Sequence, residues 1–118
     1  MVSVLFCDLA GFTAQSETAD PEDVNQMLEE YFAAARGAIE SFGGVVEKFI
    51  GDAVVGVFGV PAAHEDDPER AVRAGLRIVE AAEQLEAVGG EPLRRRVGVN
   101  TGEALVRLNV LPGRAKGS

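Results

Sequence analysis

The 118-residue sequence has no tryptophan and only one cysteine, one histidine and one tyrosine. The lone thiol, Cys7, excludes an internal disulfide and a thiolate metal cluster, and it fits a reducing compartment. Positive charge is also scarce, with 11 Lys and Arg against 19 Asp and Glu and a net charge of −8. That balance opposes broad adhesion to nucleic acid or an anionic membrane, so an anionic ligand needs local compensation. No apolar run approaches the roughly 20 residues of a membrane span. The first residues read as a strand rather than a signal peptide, and a soluble cytoplasmic segment is expected. What remains is an ordinary folding composition, 47% hydrophobic and 25% charged. One domain over residues 1–118 is expected, burying roughly two-thirds of the surface its unfolded chain exposes.

Hydrophobic spacing divides the chain. Ser3 to Leu9 is a run of strand formers ending at an acid and Ala10-Gly11-Phe12-Thr13. Asp20-Pro21-Glu22-Asp23 carries a cap, a first-turn proline and acids, the order that opens a helix. Val24, Met27, Leu28, Tyr31, Phe32, Ala35, Ile39 and Phe42 then repeat at helical steps until Gly43-Gly44. Val45 to Ile50 and Ala53 to Phe58 are β-rich runs joined by Gly51-Asp52, which predicts a type II′ hairpin. Asp67-Pro68-Glu69 opens a second helix with an apolar stripe at Val72, Leu76, Val79, Ala82 and Leu85. Leu93 to Asn100 and Ala104 to Leu108 read as strands, and residues 112–118 as an irregular tail. This order predicts an α+β fold, a ferredoxin-like sandwich with helices on one face of a mainly antiparallel sheet. In that arrangement the exit of the first strand and the Gly51-Asp52 turn share a sheet end, which brings Asp8 and Asp52 close.

Two carboxylates beside a glycine turn form a hard-oxygen site suited to Mg²⁺ or Mn²⁺, with positions left for water and phosphate. Lys48 precedes Asp52 by four residues, and strand alternation directs it toward the same side if the hairpin is regular. FCDLAGFT around Asp8, EKFIGDAVVGVFG around Asp52 and GVNTGEA from Gly98 to Ala104 resemble motifs of the class III nucleotide cyclase catalytic domain. The resemblance runs from about Val2 to Val106.

The resemblance implies a palm-type fold that converts a nucleoside triphosphate to a 3′,5′-cyclic nucleotide and pyrophosphate. Asp8 and Asp52 would hold two Mg²⁺ or Mn²⁺ ions, with the backbone carbonyl of Leu9 as a further ligand. Gly11, Phe12 and Thr13 would cradle the phosphates through backbone amides. In cyclases the Lys48 position marks adenine selection, because an ammonium donor suits the N1 acceptor of adenine and not the N1 donor of guanine. ATP is therefore expected over GTP. The family builds its sites across a head-to-tail dimer, so a homodimer or a partner cyclase domain is expected. Its later helix carries an asparagine for the ribose and an arginine for transition-state charge, and no residue after Gly98-Val99-Asn100 matches that motif. The chain is expected to hold the metal and adenine half-site of a catalytic domain cut before that helix. The alternative is a nonenzymatic pseudocyclase that binds nucleotide or dimerises.

Other features carry ordinary readings. Cys7 is expected as a buried strand residue and His64 as a solvated loop residue. Arg94-Arg95-Arg96 alternates across strand faces and is given a structural role.

Overall fold

The computed structural model describes residues 1–10, 20–85 and 94–102. Its elements are β1 (Val2–Ala10), α1 (Pro21–Ser41), β2 (Val45–Ile50), β3 (Ala53–Phe58), α2 (Asp67–Gln84) and β4 (Arg94–Gly102). The strands form a four-stranded sheet in the order β2-β3-β1-β4, with every neighbouring pair antiparallel. β1 and β2 therefore run the same way with β3 between them, the ferredoxin-like arrangement expected from the sequence. The strand expected at Ala104 to Leu108, the tail over 112–118, and Gly11, Phe12 and Thr13 lie outside the described residues.

Local chemistry sets the element ends. The Asp20 carboxylate accepts a hydrogen bond from the Glu22 backbone N–H at 2.8 Å, and Pro21 occupies the first helical position. α1 ends in a Schellman motif: Gly43, at φ +86°, donates to the Glu40 carbonyl and Gly44 to that of Ile39. In the β2–β3 turn Gly51 has φ +58°, while among the described residues none other than glycine has positive φ, which fits the II′ turn. At the start of α2 the Asp67 carboxylate accepts from the His64 backbone N–H and from Arg70. Arg70 also donates to the Phe42 carbonyl, tying the end of α1 to the start of α2.

Both helices cover one sheet face. Leu5, Cys7 and Leu9 of β1 and Val54 and Phe58 of β3 are buried with Met27, Tyr31, Ala35 and Ile39 of α1 and Ala71, Ala74 and Ile78 of α2. Each large apolar side chain so buried stabilises the fold by about 1.5–3 kcal/mol. Alternation leaves Phe6 and Asp8 of β1 on the face opposite these two helices.

The α2 stripe differs from the expected one. Ala71, Ala74, Gly75, Ile78 and Ala82 face the core, while Val72 and Leu76 are exposed. Small residues allow close approach here, and a Cβ at Gly75 would lie 3.0 Å from Val97 Cγ1. A bulkier face built on Val72 and Leu76 would hold the helix farther from the sheet.

Candidate active site

The candidate site lies on the sheet face opposite α1 and α2, where the end of β1 meets the β2–β3 turn. Its first group is Asp8, whose side chain is 12% exposed. The preceding residue, Cys7, faces the opposite side of the sheet, where the Tyr31 hydroxyl donates to its carbonyl oxygen and contacts its Sγ, both at 3.2 Å. Burial raises the Cys7 thiol above its usual pKa, partly offset by the Tyr31 hydrogen bond, and nearby Asp8 raises it further. That environment suits an inert buried thiol rather than a nucleophile.

Asp52 occupies the second position of the hairpin turn. Its carboxyl is raised above the ordinary aspartate value, first by desolvation and then by the negative charge of Asp8, with a backbone hydrogen bond and Arg96 opposing. Cys7 pairs with Val54 and Ile50 with Ala53, so the ladders put Asp8 and the Asp52 turn, 44 positions apart in sequence, at the same sheet end, as expected from the topology.

Arg96 completes the cluster. It stands directly across the β1–β4 ladder from Asp8. Its Nε donates to Asp8 Oδ1 at 3.0 Å and its Nη2 to Oδ2 at 2.7 Å, a bidentate charge-assisted pair. The hydrogen bond to Asp8 leads the causes that hold the Arg96 guanidinium above its usual pKa. Sequence reasoning correctly put Arg95 and Arg96 on opposite faces but missed Arg96 as a partner of Asp8. Arg95 pairs instead with Glu83 of α2 at 2.8 Å.

Lys48 is on the same face but stands apart. Phe49 packs against Phe32, with Arg36 over its ring, so alternation turns Lys48 and Ile50 away from α1. The strand has a bulge between Val46 and Lys48, upstream of the stretch that needs to be regular. Lys48 pairs in register with Val55, which pairs with Phe6, placing it two strand spacings, roughly 10 Å, from β1. Its ion-pair partner is Glu47 at 4.0 Å.

The donor set fits a hard divalent cation. Among the described residues no group of three or more His, Cys, Asp or Glu converges, which leaves Asp8 and Asp52 as the two carboxylates that would hold a cation here. Mutual repulsion between these carboxylates is what a cation relieves, and Mg²⁺ or Mn²⁺ readily completes its shell with water and phosphate oxygen. Leu9, whose carbonyl the sequence nominated, follows Asp8 on β1 with its side chain in the core.

The fold is that of a palm-type α+β domain, with Asp8 and the Asp52 turn at one end of its sheet. Residues 1–111 match the family described as the adenylate and guanylate cyclase catalytic domain, and the chain belongs to that family. It is 34% identical over 109 residues to adenylate cyclase 1 of Rhizobium meliloti, covering 89% of this chain and 16% of that protein. An adenylate cyclase of Mycobacterium tuberculosis is 32% identical, covering 85% of this chain and 23% of that protein. Among solved structures, the guanylyl cyclase Cya2 superposes with a TM-score of 0.81 at 36% identity, over 97% of this chain and 59% of that one. The adenylyl cyclase CyaB from P. aeruginosa gives 0.74 at 29% identity, over 86% and 55%. The chain thus spans less than a quarter of these curated relatives and somewhat over half of the solved domains. No helix among the described residues is long and apolar enough to cross a membrane.

Proposed function

We propose that the chain carries the metal and adenine half-site of an adenylate cyclase, acting in cytoplasmic signalling. In the reaction the ribose 3′-hydroxyl gives up its proton to solvent, its oxygen bonds to the α-phosphorus, the bond from that phosphorus to the α–β bridging oxygen breaks, and cyclic AMP and pyrophosphate result. The observation that carries this reading is the β1–β3–β2 register, which has Asp8 near the end of β1 and Asp52 in the adjoining β2–β3 turn. Curated relatives named adenylate cyclase support it, as does the Lys48 ammonium, a donor that suits adenine N1.

Asp8 and Asp52 would hold two Mg²⁺ or Mn²⁺ ions, joined by the Leu9 carbonyl. Such ions, when bound, lower the cost of forming a 3′ alkoxide and stabilise charge on the departing pyrophosphate. The chain's own residues do the rest. Asp8 and Asp52 fix the reacting end of the nucleotide, the amides of Gly11, Phe12 and Thr13 receive phosphate oxygens, and Lys48 selects the base. A partner cyclase domain that carries the later asparagine and arginine would supply the ribose and transition-state groups. Solved relatives include a guanylate cyclase domain bound to GTP and a cyclase core of converted specificity bound to an ATP analogue.

The test is cyclic nucleotide production from Mn²⁺-ATP and Mn²⁺-GTP by the 118-residue chain mixed with a cyclase domain whose own metal aspartates are disabled. The expected product is cyclic AMP, absent when Asp8→Ala or Asp52→Ala replaces the wild type. Nucleotide binding without turnover in the mixture would replace this reading with a regulatory pseudocyclase, and cyclic GMP as the main product would reverse the base assignment.

A further inference from the structure

The Asp8–Arg96 pair conflicts with Asp8 as a free metal ligand. Both carboxylate oxygens accept from one guanidinium, at 3.0 and 2.7 Å. We propose that Arg96 is a built-in competitor of the metal, holding the Asp8 carboxylate until a divalent cation displaces it. The inference deepens the functional reading and rests on Asp8 being a metal ligand.

Three observations carry it. First, the pairing is fixed by the fold, because Asp8 and Arg96 are directly opposed in the β1–β4 register. Second, the two partners differ in exposure. The Arg96 side chain is 72% exposed and that of Asp8 12%, so the arginine can swing into solvent while the carboxylate stays where strand packing puts it. Third, Asp52 in the adjoining turn adds to the negative field at the Arg96 guanidinium, after the larger effect of Asp8. A divalent cation at these oxygens would meet a like charge at hydrogen-bond distance, so keeping both cations is unfavourable and one must leave. The consequence is reciprocal linkage: the metal weakens the hold of Asp8 on Arg96 by the same factor that Arg96 weakens metal binding.

Mn²⁺ alone is the probe, with binding to the 118-residue chain followed by electron paramagnetic resonance or calorimetry, and thermal unfolding confirming that each variant folds. Arg96→Ala is expected to tighten Mn²⁺ binding by about fivefold or more, the low end of typical coupling factors. Arg96→Lys, which keeps the charge but loses the two-pronged grip, should fall between wild type and Arg96→Ala. Arg95→Ala removes the same charge from the opposite face and should change binding less. Unchanged or weakened binding in Arg96→Ala would overturn the proposal, showing that Arg96 instead braces Asp8 for the metal. Equal tightening in Arg95→Ala would also overturn it, in favour of bulk charge. Loss of Mn²⁺ binding in Asp8→Ala with no tightening in Arg96→Ala removes this proposal alone. Undiminished binding in Asp8→Ala removes the metal-ligand reading and the proposal with it.

Discussion

The hydroxyl of Tyr31 reaches from α1 to the backbone carbonyl and the sulfur of Cys7, each at 3.2 Å, and so fastens β1 one residue before Asp8. The contact joins the longest helix to the strand that carries the site, through a side chain only 1% exposed. Tyr31→Phe keeps the ring volume and removes the donor. It should lower stability by about 1 kcal/mol in urea denaturation, the usual net value of one internal hydrogen bond.

The same burial gives a pH prediction. Desolvation is the largest cause raising the Tyr31 phenol well above its usual 10, followed by Cys7 and the two aspartates. The folded chain then keeps its proton where the unfolded chain has lost it. Stability should be fully present below pH 10 and fall as pH rises beyond it. Tyr31 is the only tyrosine, so absorbance near 295 nm reports on it alone. Phenolate should appear only with unfolding. Titration at about pH 10 in the folded chain would contradict this, as would an unchanged alkaline stability slope in Tyr31→Phe.

Asp52 supplies the converse test. Its raised folded pKa means that the folded state binds the proton more tightly than the unfolded state does. Stability from this group is therefore present below the unfolded value near 3.8 and lost as pH rises through the raised folded value. Asp52→Asn should be more stable than wild type at neutral pH without metal, with the advantage shrinking toward pH 3. Thermal unfolding across that range checks it, and an Asp52→Asn chain less stable at pH 7 would count against the raised carboxyl.

Packing predictions separate the two faces of α2. Leu76→Gln should change stability by about 0.5 kcal/mol or less, as surface substitutions do. Ile78→Ala, in the core, should cost about 2–5 kcal/mol. At the α1–sheet contact, a Cβ on Gly56 would come within 2.8 Å of Ile39 Cδ1. Gly56→Ala should therefore cost about 1–3 kcal/mol by overpacking, and a neutral result would mean that Ile39 shifts freely.

Those contrasts mark what the sequence could reveal. The β2–β3 hairpin was legible because β-branched residues flank Gly51-Asp52, and α1 because a cap, a proline and two glycines bracket an apolar stripe. The working face of α2 was not, since alanine and glycine give a weak hydrophobic signal while the close helix–sheet approach that needs them is tertiary. The Asp8–Asp52 approach followed from strand order alone. Arg96 could not be singled out from its two arginine neighbours without the register of β4 on β1, which is set by residues about 90 positions apart.

The most direct test of the central claim is calorimetric binding of ATP to the 118-residue chain with and without Mn²⁺, for wild type, Asp8→Ala and Asp52→Ala. Binding that requires Mn²⁺ and disappears in both variants is the predicted result. ATP binding that is independent of the metal, or that survives both substitutions, would contradict the assignment of Asp8 and Asp52 as the metal-holding pair of a nucleotide cyclase site.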